Sequence, residues 1–363
     1  MMNNKYPQSE KLNHINELQL KYRKLLNETV YLPPVLDTFD PTKPPRWYNK
    51  DKLAQSQRVC MKYFYSLFKS ILIGSFLALQ TPTFVNPVVT TGNHKNISKI
   101  YRRYLATAIH MLTWFLEDPF DPESSAYRSF NQVRSMHMKL FLSMNTHNKN
   151  HGVDKLDSSL HDMIMAMFPF IGLLINYPIA CGAHGITQHE KDQIIYTWRV
   201  IGHAMGIDDQ YNICNGSADD FSQLYKQFER DFFIPLLSKV PNETPLGWRL
   251  SQGYIIALNR LDFTLNFNCI LYYWFNIIGV PVTIKLNLYE WTIMMVNHFI
   301  SNFLLRFRFF YNLINNHVRS KIDQHKQIRD SVSNDLNQLY SHINYVPSCP
   351  VNQDPDYRDD FID

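Results

Sequence analysis

Glycine is scarce in this chain, with 12 among 363 residues, which argues against a fold built from many tight turns and hairpins. Alternating strand-like segments bounded by Asn-Gly or Asp-Gly turns are essentially absent. No GxGxxG or GxxxxGK[ST] fingerprint exists to cradle phosphates, and no GxSxG elbow to expose a nucleophilic serine. The five cysteines (Cys60, Cys181, Cys214, Cys269, Cys349) are odd in number and widely spaced, and they form no CxxC, zinc-knuckle or CxxCH motif. Reduced, mostly buried thiols in an intracellular compartment are the expectation. The first twenty residues are polar and lack the apolar stretch of a secretory signal, so the sequons at Asn27, Asn96, Asn215 and Asn242 carry no weight. A net charge of +4, scattered along the chain, excludes a nucleic-acid-binding protein. Between Lys52 and Leu116 there is not one Asp or Glu, and paired Glu-x-x-His helices are missing. That removes carboxylate acid–base catalysis from this stretch and a diiron bundle from the whole chain.

What is present is apolar bulk. Hydrophobic residues make up 45% of the chain, including 24 Phe and 21 Tyr, enough for a large core and incompatible with general disorder. Three runs carry no charge: Ser70 to Asn93, Met163 to Ala183, and Trp291 to Leu305. A membrane span needs about 20 consecutive apolar residues. The first run contains Pro82, Asn86 and Pro87, the second Pro169, Asn176 and Pro178, and the third is short and holds Asn297, His298 and Asn302. With a mean hydropathy of −0.27, all three are expected to be helices buried in the core. Peripheral or single-pass membrane attachment is the alternative.

Periodicity predicts an all-α protein with one large helical domain. Residues 1–44 read as an amphipathic helix and a Pro-rich arm (Pro33, Pro34, Pro41, Pro44, Pro45), 45–318 as the helical domain, and 319–363 as a charged helix and a tail of disordered composition. The polar stretch from Asn145 to Asp157 is expected to be an exposed loop, which makes the i, i+4 pair His147 and His151 a pair of loop residues.

Two helical segments carry candidate site residues. In Tyr101 to Phe115, Arg103, Thr107, His110 and Trp114 recur at i, i+4, i+7 and i+11 and share one face. That face is either a solvated helix edge or one that meets an anionic group, such as a carboxylate suited to the planar fork of Arg103. In Phe130 to Leu142, His137 lies on the apolar stripe of Phe130, Val133, Leu140 and Phe141, with Arg134 beside it and Lys139 turned away. A histidine so placed is either a satisfied core residue or a neutral imidazole presented to a metal such as a haem iron. A third helix, from Ile194, is expected to end near Gly206, with His203 structural and Thr187 as its N-terminal cap.

In chain order, PPRWYNKDKL from Pro44, SFLALQTPTFVNPVVTTGN, YRRYLATA, VRSMHMKLF and WRVIGHAMGI resemble the domain shared by the endoplasmic-reticulum-bound oxygenase mpaB and the latex-clearing rubber oxygenases, over roughly residues 44–290. The resemblance implies an all-α fold with a globin-like core around haem b. It implies that Arg103 and Thr107 line the haem pocket, that Arg134 supports it, and that His137 is the proximal iron ligand. Thr91 and Gly92 would lie near the haem edge, and His110 is the next candidate ligand. Two departures stand out. Ala106 occupies the position where the rubber oxygenases carry a lysine able to cap the iron, and no carboxylate lies upstream of the Arg/Thr helix where they have a glutamate. Polyisoprene cleavage by the glutamate route is therefore not expected, while haem binding is untouched.

The function so implied is oxidation of a hydrophobic, isoprenoid or lipid-like, substrate by O2, with Arg103 and Thr107 beside the reacting centre. A non-catalytic haem sensor or carrier, and a membrane-associated helical interaction protein without haem, are the alternatives. The resemblance adds the endoplasmic reticulum as a candidate location and leaves the organelle open.

Overall fold

Short polar side chains set where most of the helices begin. Asn49, Asn96 and Asn266 each accept a hydrogen bond from the backbone N–H three residues on. Thr187, Ser217 and Asn287 do the same within reciprocal capping boxes closed by Glu190, Asp220 and Glu290. Each cap satisfies amide groups that a first helical turn leaves without partners.

The computed structural model describes residues 8–145, 156, 158–240, 245–262 and 264–343, and among these there is no strand. The chain is all-α. Its helices are α1 (Gln8–Asn27), α2 (Lys50–Lys62), α3 (Phe64–Ala78), α4 (Pro82–Thr90), α5 (Ile97–Trp114), α6 (Ser125–Asn145), α7 (Leu160–Asn176) and α8 (Gln188–Ala204). They continue with α9 (Ala218–Phe228), α10 (Ile234–Leu237), α11 (Pro245–Leu258), α12 (Phe267–Ile278), α13 (Leu288–Asn302), α14 (Arg308–Gln327) and α15 (Arg329–Leu339). A π-helical turn, Glu229–Phe233, joins α9 to α10.

The tightest packing is between α3 and α7. A Cβ at Gly74 would collide with the Pro169 carbonyl, so glycine there lets the two backbones meet. Ser70 Oγ is inserted into α7 one turn on, donating to the Phe170 carbonyl at 2.8 Å and accepting from Leu174 N–H at 3.1 Å. These groups flank Pro169, which has no N–H to give to its own helix. Helix α5 lies at the centre, packed by α6, α11, α14 and α15. The runs from Ser70 and from Met163 form buried walls of the core, as α3 with α4 and as α7.

The third run differs from expectation. Helix α13 buries only Glu290 and Ser301, while Trp291, Met295, Val296, Phe299 and Phe303 are exposed. Its inward edge mixes Glu290, Asn297 and Ser301 with half-buried Ile293, Met294 and Ile300, and the larger aromatic and apolar side chains are left on the outer side. No helix among the described residues is long and apolar enough to cross a membrane.

The boundary drawn at residue 318 falls inside α14, which continues to bury Ile322 and His325. Tyr101 Oη and His325 Nδ1 are 2.9 Å apart, tying α14 to α5. Cys60, Cys181, Cys214 and Cys269 are free and buried. Cys349, His147, His151 and the tail after Val346 lie outside the described residues, as does most of the Asn145–Asp157 stretch. Asn145 itself closes α6 and is buried, with its side-chain amide donating to the carbonyls of Phe141 and Ser158.

Candidate functional site

Helices α3 to α8, with Arg329 at the start of α15, line a cavity of about 310 Å³. Val88 and Thr91 come from α4 and the turn after it; Arg103, Ala106, Thr107 and His110 from α5; Val133, Met136, His137 and Leu140 from α6. Met163, Met167 and Phe170 of α7, with Ile201 of α8 and Met205 just beyond it, close the far side. The volume is at the lower end of ordinary small-molecule sites, and the lining is mainly apolar, as such sites usually are.

The i, i+4, i+7 pattern of α5 puts Arg103, Thr107 and His110 on this wall together, with Trp114 one turn beyond. The neighbouring guanidinium is differently placed. Arg102 donates to Asp330 at 2.7 Å and to Ser333 Oγ at 2.7 Å, so it holds α15 against α5. Arg103 donates to Thr91 Oγ1 at 3.4 Å, and its guanidinium lies 5.9 Å from the Tyr104 ring. Among the described residues no carboxylate pairs with it. Thr107 Oγ1 donates to the Arg103 carbonyl at 3.1 Å, a common resting place for a helical threonine.

His137 carries the clearest chemical signal. Its Nδ1 is buried and has no hydrogen-bond partner among the described residues, which is rare for a polar atom in a folded interior. Burial, and then the positive charge of Arg103, push its pKa down from 6.5 to about 4. The ring is therefore neutral at physiological pH and can offer a lone pair. Among the described residues no cluster of three or more His, Cys, Asp or Glu side chains could hold a metal ion on its own. A metal at this cavity would thus have to bring most of its ligands with it.

His110 is more satisfied. Its Nδ1 is 2.7 Å from Ser129 Oγ, which also accepts from Trp114 Nε1 at 2.8 Å, and burial lowers its pKa. Arg134 lies outside the cavity wall. Its guanidinium donates to the Ala204 carbonyl and to Asn131 Oδ1, clamping α6 to the end of α8. Gly92 is likewise off the wall, and its φ of 69° lets the chain turn between α4 and α5 so that Thr91 faces the cavity. His203 is structural: it is hydrogen-bonded to the Lys43 carbonyl at 3.1 Å and ringed by Phe39, Trp47 and Phe120.

Several lining residues had no signal in the sequence. Met136, Met163, Met167 and Met205 converge from three directions, and Ser129 joins His110 and Trp114 across a helix pair. The one carboxylate on the wall, Asp162, accepts from Ser159 N at 2.8 Å and from Ser159 Oγ at 3.2 Å, so it is committed to capping α7.

Fold and cavity together define an all-helical protein with a buried, mainly apolar chamber whose wall carries two histidines, His110 and His137, and an arginine, Arg103, with no acidic partner among the described residues. Residues 63–235 match the family model described as "ER-bound oxygenase mpaB/B'/Rubber oxygenase, catalytic domain", so this segment is similar to that catalytic domain. Every cavity residue named above except Arg329 falls within the matched segment. A solved structure of latex clearing protein LCP in the closed state shares the fold, with a TM-score of 0.53 at 15% identity over 86% of this chain and 87% of that one. No curated protein matches the chain in sequence.

Proposed function

We propose that this protein is a haem b-dependent oxygenase that oxidises a hydrophobic, isoprenoid or lipid-like, substrate with O2, its iron held by His137. The observation that carries the reading is the buried, neutral and unpartnered imidazole of His137 on the wall of an apolar cavity. A porphyrin supplies four nitrogen ligands of its own, which suits a site where, of two histidines on the wall, His110 is bonded to Ser129 and His137 Nδ1 has no partner among the described residues. It also carries two carboxylates, which suit the guanidinium of Arg103. The residues present fit the group, and with it goes a globin-like arrangement of helices around the haem.

Haem so bound would supply the iron at which O2 is taken up and activated. The chain's own residues do the rest. His137 stays deprotonated down to a pH of about 4, so ligation does not compete with a proton in the neutral range. Among the described residues Nδ1 has no hydrogen-bond partner, so its lone pair would be available to the iron. Arg103 would orient the carboxylate edge, itself held by Thr91 and the neighbouring Tyr104. Methionine and phenylalanine side chains exclude water and accept an apolar substrate. With Asp162 engaged in its cap, no free carboxylate on the wall can act as a base, so a glutamate-assisted cleavage of polyisoprene has no counterpart here.

The test is an absorption spectrum of the protein produced with haem supplied, followed by product analysis under O2 and reductant. A Soret band and an oxygenated product are expected. A protein that stays colourless with haem in excess overturns the reading.

A further inference from the structure

Helix α13 leaves a large apolar stripe exposed. A helix on the surface of a water-soluble protein turns its apolar stripe inward and its polar residues out. In α13 the inward face is mixed: Ile293, Met294 and Ile300 are half-buried beside the polar Glu290, Asn297 and Ser301. Glu290 accepts from Asn268 Nδ2 at 2.6 Å, Asn297 donates to the Thr264 carbonyl at 3.0 Å, and Ser301 Oγ accepts from Lys69 Nζ at 2.7 Å. The outward stripe, at steps of three and four, is Leu288, Trp291, Met295, Phe299 and Phe303. Helix α14 extends the pattern. Tyr311 and Asn315 face in, bonded to Ser66 and to the Tyr65 amide, while Phe309 is 73% exposed and Leu313 58%. A contiguous, aromatic-rich apolar face of this kind marks an interaction surface.

We propose that the α13–α14 face docks on an anionic lipid membrane and lies in its interface. Three observations select this occupant. The only carboxylate between Lys285 and Lys321 is the buried, hydrogen-bonded Glu290, whereas Lys285, Arg306 and Arg308 are exposed around the apolar stripe. Tyr289 and Trp291 stand at one end of that stripe, the residue types that settle at the level of lipid headgroups. Neither helix is long and apolar enough to cross a bilayer, so the face lies on the membrane. A second copy of this chain is a poorer fit. It would bring Arg306 and Arg308 against an equally basic rim, with no exposed carboxylate there to pair them. The proposal is independent of what the cavity holds.

Flotation of the full chain with vesicles tests it, using phosphatidylcholine alone or with about 30% phosphatidylserine as the anionic lipid. Binding to the anionic vesicles is expected, weakening as salt is raised. Arg306→Gln with Arg308→Gln should lower partition onto anionic vesicles about 25-fold, roughly fivefold per charge, and leave neutral vesicles unaffected. Phe299→Ser with Phe309→Ser should lower partition onto both by more than about tenfold. Circular dichroism of both variants should match the parent. Failure to float with anionic vesicles at low salt overturns the proposal, as does an aromatic variant that floats like the parent. In the first case, light scattering assigns the face: a dimer split by the aromatic substitutions means a second copy covers it, and a monomer means another protein does.

Discussion

Replacing His137 by alanine separates ligation from folding, because its two consequences are read independently. The first is loss of haem. Removing the iron ligand should abolish the Soret band while leaving most of the helical circular dichroism, since His137 makes no hydrogen bond that the fold depends on. Near neutral pH the apoprotein should change in stability by no more than about 1 kcal/mol. Relief of an unpaired buried nitrogen, worth ~1–3 kcal/mol, offsets the packing lost with the ring. The second consequence is a pH dependence. Above pH 6.5 the imidazole is neutral in both the folded and the unfolded chain and contributes none. Between pH 6.5 and about 4 the unfolded chain takes up the proton and the folded chain does not, so stability falls with pH through this window. Below pH 4 both forms are protonated and the loss is complete, at about 3 kcal/mol for a shift of this size. His110, His203 and His325 are displaced in the same direction, so the parent profile alone mixes four residues. The difference between parent and His137→Ala profiles, from urea unfolding of the apoproteins between pH 4 and 8, isolates one. A variant with an unchanged histidine-ligated spectrum refutes the ligand assignment and turns attention to His110. A difference profile that is flat refutes the burial of the ring.

Arg103→Ala should lower haem occupancy and activity with little change in unfolding midpoint, since the guanidinium's hydrogen bond to Thr91 is long; full loading and parental activity would place Arg103 on a merely solvated edge. With Ala106 on the wall in place of a lysine, ferric protein should bind imidazole or cyanide rapidly, and a six-coordinate low-spin spectrum that resists both would mean another side chain, His110 first, caps the iron. Gly74→Ala should destabilise the fold by ~1–3 kcal/mol or more, because the α3 and α7 backbones must separate at Pro169; an unchanged denaturation midpoint would show that this crossing is loose.

What could be read from the chain by itself is what depends on near neighbours. Helix starts at Asn96, Thr187 and Ser217 follow from a side chain reaching an amide three residues away, and the stripe carrying Val133 and His137 follows from 3.6 residues per turn. The same arithmetic put Arg103, Thr107 and His110 on one face, where the cavity wall now holds all three. The identity of what they face was not local. Arg102 and Arg103 are adjacent and alike in sequence, and only the arrival of Asp330 and Ser333 from α15 commits the first and leaves the second to the cavity. Met136, Met163, Met167 and Met205 meet there, and Ser129 meets His110 and Trp114 behind the wall, because separate helices converge, which no spacing along one helix encodes. The charge-free run at Trp291 makes the limit clearest. An apolar stripe wants a non-aqueous neighbour, and its sequence does not say whether that neighbour is the protein's own core. Tertiary placement decided it: α13 turns Glu290, Asn297 and Ser301 to the core, where partners wait for each, and leaves its aromatic side outside.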